Sequence, residues 1–378
     1  MRHPKRSIFL LTLALIVVLL SGCGAPAGSN TGSRTPEPQA TNNALASASP
    51  QVAAVDPTPT STATPEPVEP GVSRAQPLPL GSGVSFETWA MTITEVLRGE
   101  AANAAVAGAN QFNEPPREGY EYVLLGLDVA NISQKAEAQD PSFGIDVRVT
   151  GARNVLYSRV AVVPPRPLEG ELFPGGTTSG QFVFEVPVGE ENLLAQLSES
   201  LDFDGTKRFV ALQEGARVEV DPTLATITPN QIGTTRAAPA QPGETAITED
   251  WEITLLEAVR GEEAARRITE ANRFNDPAPA GQEYVLARLK ARFINTDEPD
   301  AARNIDRTFF KITGERNVVY DAPTTVAPAP VLDAYLFPGG ETEGWAVFSV
   351  PQGEGGLLLI FEPLFDFGGA NTRYLALP

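Results

Sequence analysis

Trp89-Ala90-Met91-Thr92-Ile93-Thr94 holds the pattern on which the fold turns. Large apolar side chains stand at every second position, with small or polar ones between them. Successive side chains of a strand point to opposite faces, so a period of two predicts a half-buried β-strand. The same rhythm returns in Val123, Leu125, Leu127 and Val129, in Phe143, Ile145, Val147 and Val149, and in Phe182, Phe184 and Val186. Pro174-Gly175-Gly176 and Pro338-Gly339-Gly340 read as turns, because proline presets φ and glycine accepts a positive φ. Many short strands punctuated in this way predict an antiparallel β-sandwich.

The pattern occurs twice. Gly81–Leu127 aligns with Gly243–Leu289 at a constant offset of 162, with 20 identities in 47 positions and no gap. Trp89 falls on Trp251, Arg98-Gly99-Glu100 on Arg260-Gly261-Glu262, and Asn110-Gln111-Phe112-Asn113 on Asn272-Arg273-Phe274-Asn275. Further on, Thr150-Gly151-Ala152-Arg153-Asn154-Val155 answers Thr313-Gly314-Glu315-Arg316-Asn317-Val318. Leu172-Phe173-Pro174-Gly175-Gly176 answers Leu336-Phe337-Pro338-Gly339-Gly340. Chance does not produce this, so the chain carries two copies of one domain, each long enough to fold alone. Their spans are expected at 81–213 and 243–378. The Pro/Thr/Ala-rich connector 214–242 predicts two beads of variable orientation, with Val218-Glu219-Val220 free to add an edge strand to the first.

One segment in each copy departs from the strand period. Ala102, Val106 and Ala109, matched by Ala264, Ile268 and Ala271, have the i, i+4, i+7 spacing of a short amphipathic helix. Asn110 and Asn272 stand where a left-handed C-terminal cap would end it. Phe112 and Phe274, between the paired asparagines, are expected to pin the loop to the core. The Trp-bearing strand, the Asn-x-Phe-Asn loop, Gly119-Tyr120-Glu121-Tyr122-Val123 and the Phe-Pro-Gly-Gly turn before Phe182–Pro187 together resemble a domain found in bacterial lipoproteins. That domain is similar to the secreted immunoprotective antigen family, whose fold is immunoglobulin-like (telokin-like). The resemblance implies an all-β chain of two immunoglobulin-like antiparallel β-sandwich domains in tandem, each with one short helix. It brings no catalytic residues with it, and the Cys…Trp…Cys pattern of antibody domains is absent.

The N-terminus speaks of location. Arg2, Lys5 and Arg6 precede the apolar run Ile8–Leu20, too short for a permanent span but suited to a signal peptide. The run ends in Leu20-Ser21-Gly22-Cys23, which looks like a lipobox: residues 1–22 are read as a signal peptide and Cys23 as the lipidated residue. Two acyl chains on Cys23 would anchor the protein stably to a membrane. This predicts a lipid-anchored protein on the cell membrane or outer membrane, facing outside the cytoplasm. Residues 23–80 hold 11 prolines and no aromatic residue, so they are read as a disordered tether.

Composition narrows the chemistry. Lys+Arg number 28 against Asp+Glu 47, a formal charge of −19, which argues against a nucleic-acid partner. The one His and one Cys both lie within the first 23 residues, so no His or Cys remains in the repeats for catalysis, zinc or disulfides. No cofactor and no metal is expected. Carboxylates are the acid–base groups left: Asp202 with Asp204, or Glu190 with Glu191, would have to serve a glycosidase-like alternative. Asp202-Phe203-Asp204-Gly205 and Asn295-Thr296-Asp297-Glu298 with Asp300 cluster oxygens, yet neither matches a calcium loop. Arg288, Lys290 and Arg292 share one face of a strand and are expected to pair with acids across it. The polar residues kept in both copies, Arg98, Glu100, Asn110 and Asn113 with Arg260, Glu262, Asn272 and Asn275, are the candidate binding residues. The favoured function is a non-catalytic binding, adhesion or structural module with a cell-envelope protein or polysaccharide as partner, and not an enzyme.

Overall fold

A computed structural model describes residues 69–200, 202, 205–320, 322–363 and 368–378. The expected signal peptide, Cys23, Asp204 and the part of the expected tether up to residue 68 lie outside the described residues.

The first copy runs β1 (Gly83–Ser85), β2 (Trp89–Arg98), α1 (Glu100–Ala109), β3 (Tyr120–Asn131), α2 (Pro141–Gly144), β4 (Ile145–Thr150), β5 (Val155–Tyr157), β6 (Thr177–Pro187), β7 (Leu194–Glu199) and β8 (Lys207–Ala211). The second runs β9 (Thr245–Ile247), β10 (Trp251–Arg260), α3 (Gly261–Ala271), β11 (Gln282–Phe293), β12 (Arg303–Asp306), β13 (Phe310–Thr313), β14 (Val319–Tyr320), β15 (Asp333–Leu336), β16 (Glu341–Pro351), β17 (Leu358–Phe361) and β18 (Arg373–Ala376). All ladders between these strands are antiparallel, and each copy is a β-sandwich, so the chain is all-β with two tandem domains.

In copy one the sheet β1-β2-β3-β6 faces β5-β4-β7-β8. Trp89, Met91, Ile93, Val123, Leu125, Leu127 and Phe184 meet Val147, Val149 and Leu197 in the core. Copy two repeats this with β9-β10-β11-β16 against β14-β13-β17-β18, around Trp251, Phe293, Phe348 and Phe361. A register shift falls at the same place in both, Ile93/Glu95 and Leu255/Glu257. It is the extra residue of a β-bulge, which ends the alternation begun at Trp89. Strand β3 is apolar on both faces. Val123 and Leu125 enter the sandwich core, while Tyr122 and Leu124 pack under Ala102 and Val106 of α1. In copy two, Tyr284 and Leu286 lie under Ala264 and Ile268 in the same way.

Several details differ from the sequence expectations. Phe143 sits in the α2 turn and is exposed rather than inward, because strand β4 starts only at Ile145. Ala109 and Ala271 are the last residues of their helices and lie outside the core. Asn110 and Asn272 are extended (φ −152° and −154°), not left-handed. Val218 adds no strand: its N–H donates to the Arg74 carbonyl at 3.0 Å, a single link.

The larger correction concerns the boundaries. The repeat begins near residue 71, inside the stretch read as tether. Phe209 N–H donates to the Gly71 carbonyl (2.6 Å) as Tyr374 N–H does to Gly233 (2.7 Å), and Leu78 bridges Val210 as Ala240 bridges Leu375. The connector is also packed, with Ala216, Val218, Leu224 and Ala240 buried.

Nor are the copies separate beads. Strand β15 of copy two pairs with β5 of copy one, so a single sheet of order β12-β15-β5-β4-β7-β8 crosses between them. Phe337 packs against Leu156 and Phe209, its ring edge-on to Phe209 with centroids 6.2 Å apart. Arg74 is fully buried over Phe337, 3.9 Å from the ring centroid, and bonds Asp300 (3.2 Å), Asn154 Oδ1 (2.6 Å) and the Pro299 carbonyl (2.8 Å). Burial pulls this guanidinium down to about 10, opposed by Asp300, so it stays charged at neutral pH. A connector rich in proline leaves the beads free only so long as no apolar surface joins them, and Phe337 supplies that surface.

Candidate functional site

The polar residues kept in both copies converge where strand β2 or β10 enters its helix. Arg98 Nε donates to Glu121 at 3.1 Å, a second guanidinium nitrogen pairs the same carboxylate, and Nη1 reaches the Glu190 carbonyl at 3.0 Å. Arg260 repeats this with Glu283 (2.6 Å) and the Glu354 carbonyl (2.9 Å). The glycine between Arg and Glu is required: Gly99 has φ +62°, and a Cβ there would meet Glu121 Oε2 at 2.8 Å. Burial raises the Glu283 carboxyl, but hydrogen bonds from Arg260 and the Gly353 amide outweigh it and hold the group below the ordinary range. Glu100 and Glu262 open their helices, where an acid complements the helix dipole, and both stay exposed.

The asparagines are bound just as fully. Asn110 Oδ1 accepts from the Phe112 N–H at 2.9 Å, closing the turn that follows α1. Asn113 donates to the carbonyls of Val106 and Val163 (both 2.8 Å) and accepts from the Val163 N–H (2.9 Å), tying the helix end to a distant loop. Asn272 and Asn275 make the same bonds with Phe274, Ile268 and Val326. Arg98, Asn110 and Asn113 and their partners in copy two therefore brace the fold.

The phenylalanines between these asparagines do the opposite of what their apolar character predicts. Phe112 is 81% exposed and Phe274 77%, each at the tip of its loop. Arg273 stacks on Phe274, its guanidinium carbon 4.7 Å from the ring centroid. Beside Phe112's loop lies a depression of about 610 Å³, lined by Glu100, Asn103, Asn113, Tyr120, Glu121 and Val188. A second, of about 510 Å³, lies over Asp146, Arg148, Glu199, Asp202 and Lys207 of copy one.

Of the carboxylates weighed for catalysis, Glu190 and Asp202 have structural partners, Asp202 Oδ2 accepting from the Thr206 N–H at 2.8 Å. Glu190 is buried: Oε1 accepts from the Arg153 N–H (2.9 Å), while Oε2 accepts from Tyr157 Oη (3.1 Å) and pairs with Arg153 Nε (3.2 Å). Burial and the Glu190 charge push the Tyr157 phenol well above its ordinary value. Glu354 takes the same place against Arg316 in copy two (3.0 Å). The repeated Thr-Gly-x-Arg-Asn motif thus wraps a buried glutamate. Glu199 accepts from the Thr88 and Trp89 amides, each at 2.7 Å. Among the described residues no group of three or more His, Cys, Asp or Glu could hold a metal ion. Of the oxygen cluster at 295–300, Asn295 and Asp300 are engaged, the first with Asp250 at 2.7 Å and the second with Arg74. The basic stripe pairs across strands as anticipated, Arg288 with Glu343 (3.3 Å), Lys290 with Glu341 (2.9 Å) and Arg292 with Glu252 (3.5 Å).

The proline-rich composition of the residues before Gly81 conceals Arg74 in the sequence. The signal was present: the offset of 162, carried back past Gly81, sets Gly71, Arg74, Ala75 and Pro77 on Gly233, Arg236, Ala237 and Pro239.

No family model and no curated protein matches the chain. Among solved structures, an uncharacterized β-sandwich protein from Clostridium difficile 630 is 14% identical, with 40% of this chain covering 100% of that one, at a TM-score of 0.25. The yjhA protein from Bacillus subtilis is 11% identical over 36% of this chain and 99% of that one, with a TM-score of 0.28. A conserved hypothetical protein from Bacillus anthracis is 12% identical over 35% and 94%, with a TM-score of 0.25. No helix among the described residues is long and apolar enough to cross a membrane.

Proposed function

We propose that the protein is a lipid-anchored binding module that acts outside the cytoplasm without catalysis, its immunoglobulin-like domains similar to the secreted immunoprotective antigen family. The observation that supports this reading is the pair Phe112 and Phe274. Two large rings stand in solvent at equivalent loop tips, each on a loop that its asparagines hold rigid. An exposed aromatic on a braced loop loses little entropy on contact and can bury its whole face against a partner. Of the polar residues kept in both copies, Asn110, Asn113, Asn272 and Asn275 act as the scaffold of the tips. A cell-envelope protein or polysaccharide is the partner class, because Leu20-Ser21-Gly22-Cys23 directs the chain to a membrane surface.

Co-sedimentation of the lipid-free chain from residue 24 with purified cell-wall polymer tests the binding. The Phe112→Ser/Phe274→Ser pair should weaken it at least about tenfold per ring, since burying a phenylalanine is worth about 1.5–3 kcal/mol. Unchanged binding would remove the loop tips from the reading. Replacing Cys23 by Ala tests the anchor separately: the protein should leave the membrane fraction or remain uncleaved.

A further inference from the structure

The contact between the two copies joins unlike surfaces. Copy two contributes the Leu336-Phe337-Pro338-Gly339-Gly340 turn and β15, and copy one contributes β5, Asn154, Phe209 and Arg74. Because the chain is duplicated, each surface exists twice, and the other example of each stands unused. Phe173, the counterpart of Phe337, is 64% exposed. Val318 and Val319, the counterparts of Val155 and Leu156, are 49% and 53% exposed. Strand β14, which holds Val319, is an edge whose only ladder among the described residues is with β13, whereas β5 lies between β4 and β15.

The unused surfaces keep the geometry of the used ones. Asn317 has the left-handed backbone of Asn154 (φ 58° and 59°), and Asn154 is the residue whose carbonyl accepts from the Phe337 N–H at 2.9 Å. Gly175 and Gly339 turn with φ +83° and +88°. The Gln139–Leu172 bridge reproduces the Arg303–Leu336 pair that frames the docked turn. Arg236, the counterpart of Arg74, follows an equivalent turn, Thr235–Ala238 matching Ser73–Gln76, yet it is exposed and makes no ion pair among the described residues. The loop of copy one that corresponds to Glu298–Asp300 carries an exposed acid, Glu137.

We propose that the protein associates head to tail with further copies of itself, the Phe173 turn of one molecule docking on the Val318-Val319 edge of the next. The contact repeats between molecules the one that joins the copies within a molecule: Leu172 stands opposite Val318 as Leu336 does opposite Val155, and Arg236 covers Phe173 as Arg74 covers Phe337. The interface is heterologous, so it leaves one free turn and one free edge at the ends and builds rings or open filaments. Within the chain the connector supplies a local concentration of millimolar order, and molecules confined to a membrane surface would meet under similar crowding. This inference does not depend on the binding reading, since Phe112 and Phe274 take no part.

The test uses the chain from residue 24, which holds every described residue. In sedimentation velocity up to about 1 mM, its mass should grow with concentration beyond a dimer. Phe173→Asp and Val319→Lys each change an exposed residue and should each leave monomers with the wild-type far-ultraviolet spectrum and melting. Mixed in equal amounts, they should form a dimer and stop there, because one retains the edge and the other the turn. With Cys23 removed the chain has no cysteine, so Leu172→Cys and Val318→Cys chains should give the mixed disulfide in preference to either homodimer. A wild type that stays monomeric throughout overturns the proposal, and so does a mixture that fails to pair or a disulfide pattern without the mixed product.

Discussion

The five residues Leu-Phe-Pro-Gly-Gly occur in both copies and meet opposite fates. In copy two, Leu336, Phe337, Pro338 and Gly340 are buried; in copy one, Phe173, Pro174 and Gly175 are exposed. The backbone turn is the same in both. What differs is the neighbour: Phe337 meets Leu156 and Phe209 under the Arg74 side chain, and Phe173 meets solvent. Burial here is a property of position in the tandem and not of the motif. A tandem repeat joined by a heterologous contact necessarily leaves one of each surface at its ends.

The sharpest way to break this comparison is to remove the ring on each side. Phe337→Ala should cost about 3–5 kcal/mol, since it empties a fully buried site, and it should separate the melting of the two copies. Phe173→Ala should stay within about 0.5 kcal/mol in dilute solution. Calorimetry of the two variants decides it. Equal effects would mean that the inter-copy contact carries no stability. Next in size stand the arginines. Arg74→Ala strands Asp300, a fifth of whose side chain is accessible, and strips the cover from Phe337; about 3 kcal/mol is expected. Arg236→Ala should move the dilute monomer by less than about 0.5 kcal/mol. Denaturant unfolding followed at Trp251 and Trp89 separates the two results.

A finer probe lies in the turn glycines. A Cβ on Gly340 would be driven against the Asn154 carbonyl oxygen across the contact, whereas on Gly176 it would meet only its own turn, with Phe173 O at 3.0 Å. Both positions share that second contact, so the difference between Gly340→Ala and Gly176→Ala isolates the inter-copy approach. About 1–3 kcal/mol is expected at Gly340 and less at Gly176. Equal melting temperatures for the two variants would show that the copies yield to the added methyl without loss.

Strands, helices and the duplication were legible because each is a local or periodic property. Trp89-Met91-Ile93 and Ala102-Val106 lie on the faces that their spacing assigns. Phe112, Phe173 and Phe337 were not legible, because an apolar residue in a turn carries no period, and only its tertiary neighbours decide between core and solvent. Arg98 and Asn113 were visible as repeated polar residues, but repetition alone cannot separate a ligand contact from a brace. The hydrogen bonds to Glu121 and Val163 make that distinction. Composition misled at Arg74, whose surroundings are as rich in proline as the tether although the backbone pairs with Phe209.

The smallest expected difference between the copies lies in their helices. In α3, Glu263 accepts from Arg266 at 2.7 Å and from Arg267 at 2.8 Å, and Arg266 also pairs with Glu270. The matching positions of α1 are Ala101, Ala104, Ala105 and Gly108, so copy one has no such network. The hydrogen bonds from Arg266 and then Arg267 hold the Glu263 carboxyl down at about 2. A carboxyl lowered in the folded state stabilises fully above its unfolded value, about 4.3, and loses that contribution as the pH falls toward 2. The group is exposed, so the contribution is modest and salt screens it. The protection of the α3 amides, taken relative to their intrinsic exchange rates, should therefore fall between about pH 5 and pH 2 at low salt, while α1 shows no change from this source. Glu263→Gln should remove the pH dependence from α3 and leave α1 as it was. A Glu263 carboxyl that titrates in the folded chain near the ordinary value would mean that the arginines do not hold it in solution, and the difference between the helices would then rest on intrinsic propensity alone.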